Sequence, residues 1–169
     1  MNQKLEREEF LLPYRGKSSN NGIFSFTTDF GVNYSVVIFK VETFSEYYFG
    51  NNVFDIAINC DLQNPPKDKR VQITINELIA SFLLENEHYI LTFVCDFADN
   101  KHLARKRKFN NWFKLANNDD FVMHFLEYQI VDIYYIFGII YNTNTYGKEL
   151  LSEIELNISK TIESIKSEK

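Results

Sequence analysis

Val53-Phe54-Asp55-Ile56-Ala57-Ile58-Asn59-Cys60 alternates, with Phe54, Ile56 and Ile58 on one side and Asp55, Ala57 and Asn59 on the other. Alternation of this kind marks a strand buried on one face. Beyond Asp61 to Arg70, a loop built around Pro65-Pro66, the period lengthens: Ile75, Leu78, Ile79, Phe82 and Leu83 fall on one helical stripe. The switch from strand period to helix period decides the fold class. It predicts a helix over 74–87, with Thr74 as cap, Glu77 completing a capping box, and Ile73 and Leu78 placed as a hydrophobic staple.

Upstream of this stretch the pattern is strands alone. Ile23 to Thr28 and Val32 to Phe39 flank Asp29-Phe30-Gly31, where Gly31 accepts the positive φ of a tight turn. Thr43 to Phe49 reads as a short edge strand ended by Gly50-Asn51-Asn52. These connections are too short to hold crossover helices, so the strands form an antiparallel meander. Residues 1–20 form a lead-in with a short helical turn before Pro13, and 21–166 a single domain.

Downstream, Tyr89 to Cys95 is a nearly continuous apolar run suited to an interior strand. A helix follows from Asp99 or Asn100 to Leu115, then strands Phe121 to Tyr128 and Tyr134 to Tyr141, hairpin-paired through Gln129 to Asp132. A last helix, Tyr146 to Ile165, carries the apolar seam Leu151, Ile154, Ile158, Ile162 and Ile165, which covers the sheet or meets a second copy. The expected architecture is α+β: a mostly antiparallel twisted sheet of about five to seven strands, with three main helices packed largely on one face. The helix at 74–87 can also act as a crossover, which would make the sheet mixed.

Composition narrows the class. The chain has 169 residues, 45% hydrophobic and 16% aromatic, with 16 Phe and 10 Tyr, so its core is rich in rings. Only 3 Pro and 6 Gly argue against a linker-rich or disordered chain. A net charge of -5 weakly opposes generic adsorption to polyanions. Cys60 and Cys95 sit in apolar runs and read as buried thiols of a reducing compartment. The charged N-terminus lacks a signal peptide's apolar core, and Ile130 to Tyr141, broken by Asp132, is too short to span a bilayer. A soluble cytoplasmic chain with no membrane partner is expected.

Chemistry concentrates between 95 and 114. Asp96 and Asp99 end the apolar run, and Lys101, Arg105, Lys106, Arg107, Lys108 and Lys114 follow on a helix that also carries Phe109, Trp112 and Phe113. Helical angles put Arg105 on the ring-bearing side, with Arg107 and Lys108 pointing elsewhere. Arg105 is expected to pair with Asp96 or Asp99 and fasten the helix to the strand; alternatively, Asp96, Asp99, Arg105 and Arg107 form an anion site. Lys101, Lys106, Lys108, Lys114 and Trp112 form a possible nucleic-acid patch, with Trp112 able to stack on a base. Asp96 and Asp99 are also hard ligands suited to Mg²⁺ beside the Arg105 cation, as in metal-dependent phosphate chemistry. His88, His102 and His124 show no ligand spacing with the cysteines, and no cofactor is expected.

The Phe24-to-Tyr34 strand pair, the Arg70-to-Asn86 strip, and Cys95-Asp96-x-x-Asp99 followed by Ala104-Arg105-x-Arg107 resemble a small bacterial family, largely from Bacteroidota, known only as a domain of unknown function. Cys95, Asp96, Asp99, Ala104, Arg105 and Arg107 look like its signature, and the resemblance runs from about 23 to 160. It implies an independent bacterial domain and supplies no activity. The expected role is a non-catalytic module binding a protein partner or a second copy of itself. Exposed Leu156, Tyr146 or Phe44 would form its contact patch.

Overall fold

The computed structural model describes residues 11–19, 22–95, 97, 100–116, 119–130 and 133–167. Strands β1 (Lys17–Ser18), β2 (Ile23–Thr27), β3 (Asn33–Lys40) and β4 (Val53–Cys60) form the antiparallel meander. The turn at Gly31 has φ 74°, a conformation that favours glycine. Helix α1 (Lys69–Glu85) then carries the chain to β5 (Ile90–Cys95), which lies parallel to β4. Parallel neighbours need a crossover of about this length, so α1 is the connection the sheet demands. Helix α2 (His102–Ala116) leads into the hairpin of β6 (Phe121–Ile130) and β7 (Ile133–Asn142), and α3 (Glu149–Ser167) ends the fold.

Within the described residues the sheet has seven strands in the order β1-β2-β3-β4-β5-β7-β6, and β4–β5 is its parallel pair. The class is therefore α+β with a mostly antiparallel sheet, mixed at one position. Helices α1 and α2 share one face, burying Val71, Ile75 and Leu83 of α1 against Ile56, Leu91, Phe93, Ile136 and Ile140. Helix α3 takes the other face, where Leu150 and Ile154 are buried with Ile90, Ile139 and Tyr141. Two of the three helices thus share one face, and α3 covers the other. The cause is legible in β7, which is apolar on both sides: Ile136 and Ile140 point one way, Ile139 and Tyr141 the other, and each side needs a cover.

Other boundaries differ from expectation for local reasons. Thr43 to Phe49 is not a strand but a series of turns running into a 3-10 turn at Gly50–Asn52, held by Tyr47 N–H to the Phe44 carbonyl and Gly50 N–H to the Tyr47 carbonyl. Phe44 and Phe49 are buried beneath α3. A Cβ at Gly50 would lie 1.7 Å from the Phe44 carbonyl oxygen, so only glycine closes this turn. Helix α1 starts five residues before Thr74, at Lys69, because Asp68 caps it by accepting the Arg70 N–H at 2.9 Å. The capping box of Thr74 and Glu77 and the Ile73–Leu78 staple are therefore absent. Thr74 is buried inside the helix, donating to the Arg70 carbonyl at 2.7 Å and accepting the Tyr14 N–H at 2.8 Å.

Part of the expected lead-in is built into the structure. Tyr14 is buried, its ring stacks on Phe26, and its hydroxyl donates to Asp68 at 2.6 Å and accepts the Asp29 N–H at 3.2 Å. Arg70 lies 3.9 Å above that ring, donates to the Leu12 carbonyl and pairs with Asp29 at 2.6 Å. Helix α2 begins at His102, with Asn100 in the left-handed region at φ 58° and the Arg105 N–H bonded to the Lys101 carbonyl. Tyr146 precedes α3 rather than starting it; it is buried, with its hydroxyl on the His88 carbonyl at 2.7 Å. Residues 1–10 with the expected early turn, and the side chains of Ile162 and Ile165, lie outside the described residues. Among the described residues no helix is long and apolar enough to cross a membrane.

Candidate binding site at the fork between two strands

The β4–β5 ladder holds only while Val53, Phe54 and Asp55 face Ile90, Leu91 and Thr92. Beyond those pairs β4 runs on to Cys60 beside β3, and β5 to Cys95 beside β7. The strands part, and a crevice opens outside the carboxyl ends of a parallel pair, the place where open sheets of this kind hold ligands. It has a volume of about 410 Å³; Asp55, Ala57, Asn59 and Val94 line its strand walls, and Arg105, Lys108, Phe109 and Trp112 of α2 close it from above.

Packing places that roof. Phe109 rests on Phe93 with ring centres 4.5 Å apart and meets Trp112 edge-on at 5.9 Å. Asn76 of α1 donates to the Trp112 carbonyl at 3.1 Å and ties the two helices together. These contacts hold α2 in register and bring the exposed Lys108 side chain over the Trp112 ring at the mouth of the crevice. Its Nζ lies 4.5 Å from the centre of the Trp112 ring, a cation–π contact. Desolvation lowers the Lys108 pKa below its ordinary value, Arg105 lowers it further, and neighbouring Cys60 opposes the shift.

The walls are polar where the sheet opens. Asp55 accepts the Thr92 hydroxyl at 3.1 Å. Burial raises its pKa above the ordinary carboxylate value, with the bonds from Thr92 and the Ile56 N–H pulling the other way. Tyr34 is buried at the inner end; desolvation, aided by its bond to Cys60, pushes its phenol up to about 12, so it stays neutral. A second hollow of about 570 Å³ adjoins the first through Tyr34, Lys108 and Trp112 and carries exposed Lys67 and Lys69 beside Pro65 and Pro66. Two nearby acids are also tied by hydrogen bonds. Asp61 accepts the Asn33 backbone and side-chain N–H groups, and Asp68 caps α1 while accepting the Tyr14 hydroxyl. Arg105, Lys108, Lys67 and Lys69 outnumber Asp55 and Asp68 along the two hollows, so a chain of net charge -5 presents a positive, ring-lined groove here.

The residues singled out in the sequence divide accordingly. Arg105 and Lys108 line the fork together, so the helical angle that set Lys108 apart misleads. Lys106 is turned to Glu127 of β6 in an ion pair and lies 5.2 Å from the Phe125 ring. Lys101 donates to Asn64 at 2.8 Å, while Arg107 and Lys114 are exposed. Of the five residues read as a nucleic-acid patch, Lys108 and Trp112 meet at the fork, Lys101 reaches the loop at Asn64, and Lys106 turns to β6. Asp96 and Asp99, and with them the expected ion pair to Arg105 and the Mg²⁺ site, lie outside the described residues. Among the described residues no group of three or more His, Cys, Asp or Glu is placed to hold a metal ion. Cys60 and Cys95 are free thiols; Cys95 is buried, and desolvation raises its pKa to about 11, so it stays a protonated thiol at neutral pH. Phe44 and Tyr146 are buried, which removes them from the expected contact patch; Leu156 is exposed.

Sequence reasoning missed Tyr34, Asp55, Lys67 and Lys69. Asp55 carried a signal, a carboxylate amid an apolar strand. The others come together only through topology.

A family model matches residues 67–155, more than half of the 169. The chain belongs to this family, DUF6169, a family of unknown function. None of the curated proteins matches it. The DUF6169 match opens at Lys67, on the rim of the groove, and contains α1, β5, α2, β6 and β7. One wall of the fork and its roof are thus DUF6169 sequence, whereas Tyr34, Asp55 and Asn59 precede the match.

Proposed function

We propose that this chain is a binding module whose fork and adjoining groove take an extended, acidic segment of another protein. The observation that carries the reading is the early end of the β4–β5 ladder beneath a cationic roof. An extended segment can add main-chain hydrogen bonds where a ladder stops. Its carboxylates meet Lys108 at the fork and Lys67 and Lys69 at the rim, which favours encounter as well as hold. Rings at Tyr34 and Trp112 offer apolar contact between the charges. The same reading makes residues 21–166 one domain acting in the cytoplasm of a bacterium of the Bacteroidota, with Cys95, Asp96, Asp99, Ala104, Arg105 and Arg107 as the family's signature.

The test is fluorescence anisotropy with a labelled Asp/Glu-rich peptide, its Asn/Gln counterpart, and a single-stranded RNA of similar charge. Saturable binding of the acidic peptide alone, weakened at least tenfold by Lys67→Glu plus Lys69→Glu, is the expected result. Preference for the RNA, lost in the same variant and steeply salt-dependent, transfers the site to nucleic acid. Binding of the acidic and neutral peptides alike removes the charge argument.

A further inference from the structure

On the far side of Phe109 and Trp112 from the fork lies a second space of different chemistry. It is a cavity of about 110 Å³ between α1 and α2, floored by Phe121, Met123 and Ile140 of the β6–β7 hairpin. Asn76 and the Trp112 indole carry the only polar side-chain atoms lining it within the described residues, and one amide N–H of Asn76 is already bonded to the Trp112 carbonyl. A buried water needs two to four polar partners, so water is a poor occupant here. An apolar cavity of roughly 150 Å³ lined by similar side chains stays dry and accepts benzene. The cavity is also reachable, because Ala80 and Leu84 of α1 stand at its margin and Leu84 is 67% exposed.

We propose that this cavity is a binding site for one small, uncharged apolar molecule, the size of a single aromatic ring or a short alkyl chain. Its lining has no cation for an acid and, apart from Asn76 and the Trp112 indole, is hydrocarbon, so the ligand is selected by size and apolarity. Phe109 and Trp112 form the wall shared with the fork, so an occupant presses on the residues that roof the other site. The proposal stands whether or not the fork binds peptide.

Trp112 is the only tryptophan, which makes its emission a local probe. Toluene titrated into the whole chain is expected to shift that emission saturably, to raise the melting temperature as ligands of the native state do, and to move the Met123 methyl resonance. Ala80→Phe, a surface change that fills the mouth, is expected to weaken the response at least tenfold with the far-ultraviolet spectrum unchanged. Ala80→Leu provides a smaller plug with the same expected direction. A response that rises linearly without saturating, or one that is equal in both variants and the parent, overturns the proposal.

Discussion

Replacing Lys108 by methionine separates what this residue does for a ligand from what it does for the fold. Methionine keeps an aliphatic stem of similar length over Trp112 and removes the charge. A hydrogen bond to a charged group is worth about 1.5–3 kcal/mol, which is about a ten- to hundredfold loss of affinity for an acidic segment. Stability should move the other way. The folded pKa of Lys108 is depressed by desolvation, so the contribution from this group is present above about 10.5 and lost as pH falls through the folded value. At neutral pH the charge therefore works against folding. Opposing this, the ammonium over the ring contributes about 0.5–1 kcal/mol, as such contacts do at open sites. The expected melting temperature is unchanged or higher, read by circular dichroism beside anisotropy with the labelled acidic peptide. A fall of about 4 °C or more, on the order of 1–2 kcal/mol for a chain of this size, would mean that Lys108 is a structural cation, and unaltered affinity would remove it from the site.

Three further outcomes follow from particular contacts. A Cβ at Gly138 would lie 2.0 Å from the end of the Phe93 ring, itself packed on Phe109 and Phe125, so Gly138→Ala should cost about 2 kcal/mol by overpacking and lower the melting temperature by roughly 4–8 °C; adding Phe93→Leu should recover part of the loss, and full additivity would refute the clash. Asp55 has a folded pKa raised by burial, so its contribution is fully present below the ordinary value of 3.8 and lost as pH rises through the folded value; Asp55→Asn should raise the melting temperature at pH 7, with the gain vanishing in acid, and a pH-independent effect would show that titration is not its cause. Arg70→Met removes the bond to Leu12, the Asp29 pair and the cation over Tyr14, a loss of about 1–2 kcal/mol that should make the segment around Tyr14 cleavable by added protease; equal protease resistance would show that the arm is held without it.

Periodicity made the elements legible and left their assembly hidden. The alternation of Phe54, Ile56 and Ile58 and the stripe through Ile75 and Leu83 appear in the structure as a strand face and a helix face packed on one another. Helix starts were less readable. Thr74 and Glu77 satisfy the pattern of a capping box, yet Asp68, beside Pro66, offers a carboxylate to the same helix one turn and a half earlier, and the longer helix wins because Val71 becomes core. Thr43 to Phe49 looks like a strand because its rings favour sheets, but a close approach at Gly50 folds them into the α3 face. At the site, Arg105, Lys108 and Trp112 stood out by composition. Across the crevice, Asp55 stood out only as a carboxylate amid an apolar strand, and Tyr34 not at all, because both reach α2 only through the strand order that sets β4 beside β5.

That adjacency has a consequence for where ligands can act. Ten residue pairs join β6 to β7 and seven join β3 to β4, whereas three join β4 to β5. The DUF6169 match starts after β4, so the weak ladder is also the boundary between matched and unmatched sequence. Main-chain bonds are few there, and the two halves of the sheet are also joined by side chains on both faces, Ile56 and Leu91 clustering with Val71 and Ile75 of α1, and Val53 and Ile90 with Leu150 and Ile154 of α3. A ligand that bonds to both strands beyond Asp55 and Thr92 adds the cross-connection that the chain itself omits. Binding at the fork should therefore stabilise the native state by more than contacts to either half would, through linkage to the opening of the seam. Hydrogen exchange makes this visible: with the acidic peptide bound, amides of both β4 and β5 past the ladder should gain protection together. Protection confined to α2 would place the ligand on the helix and not in the fork.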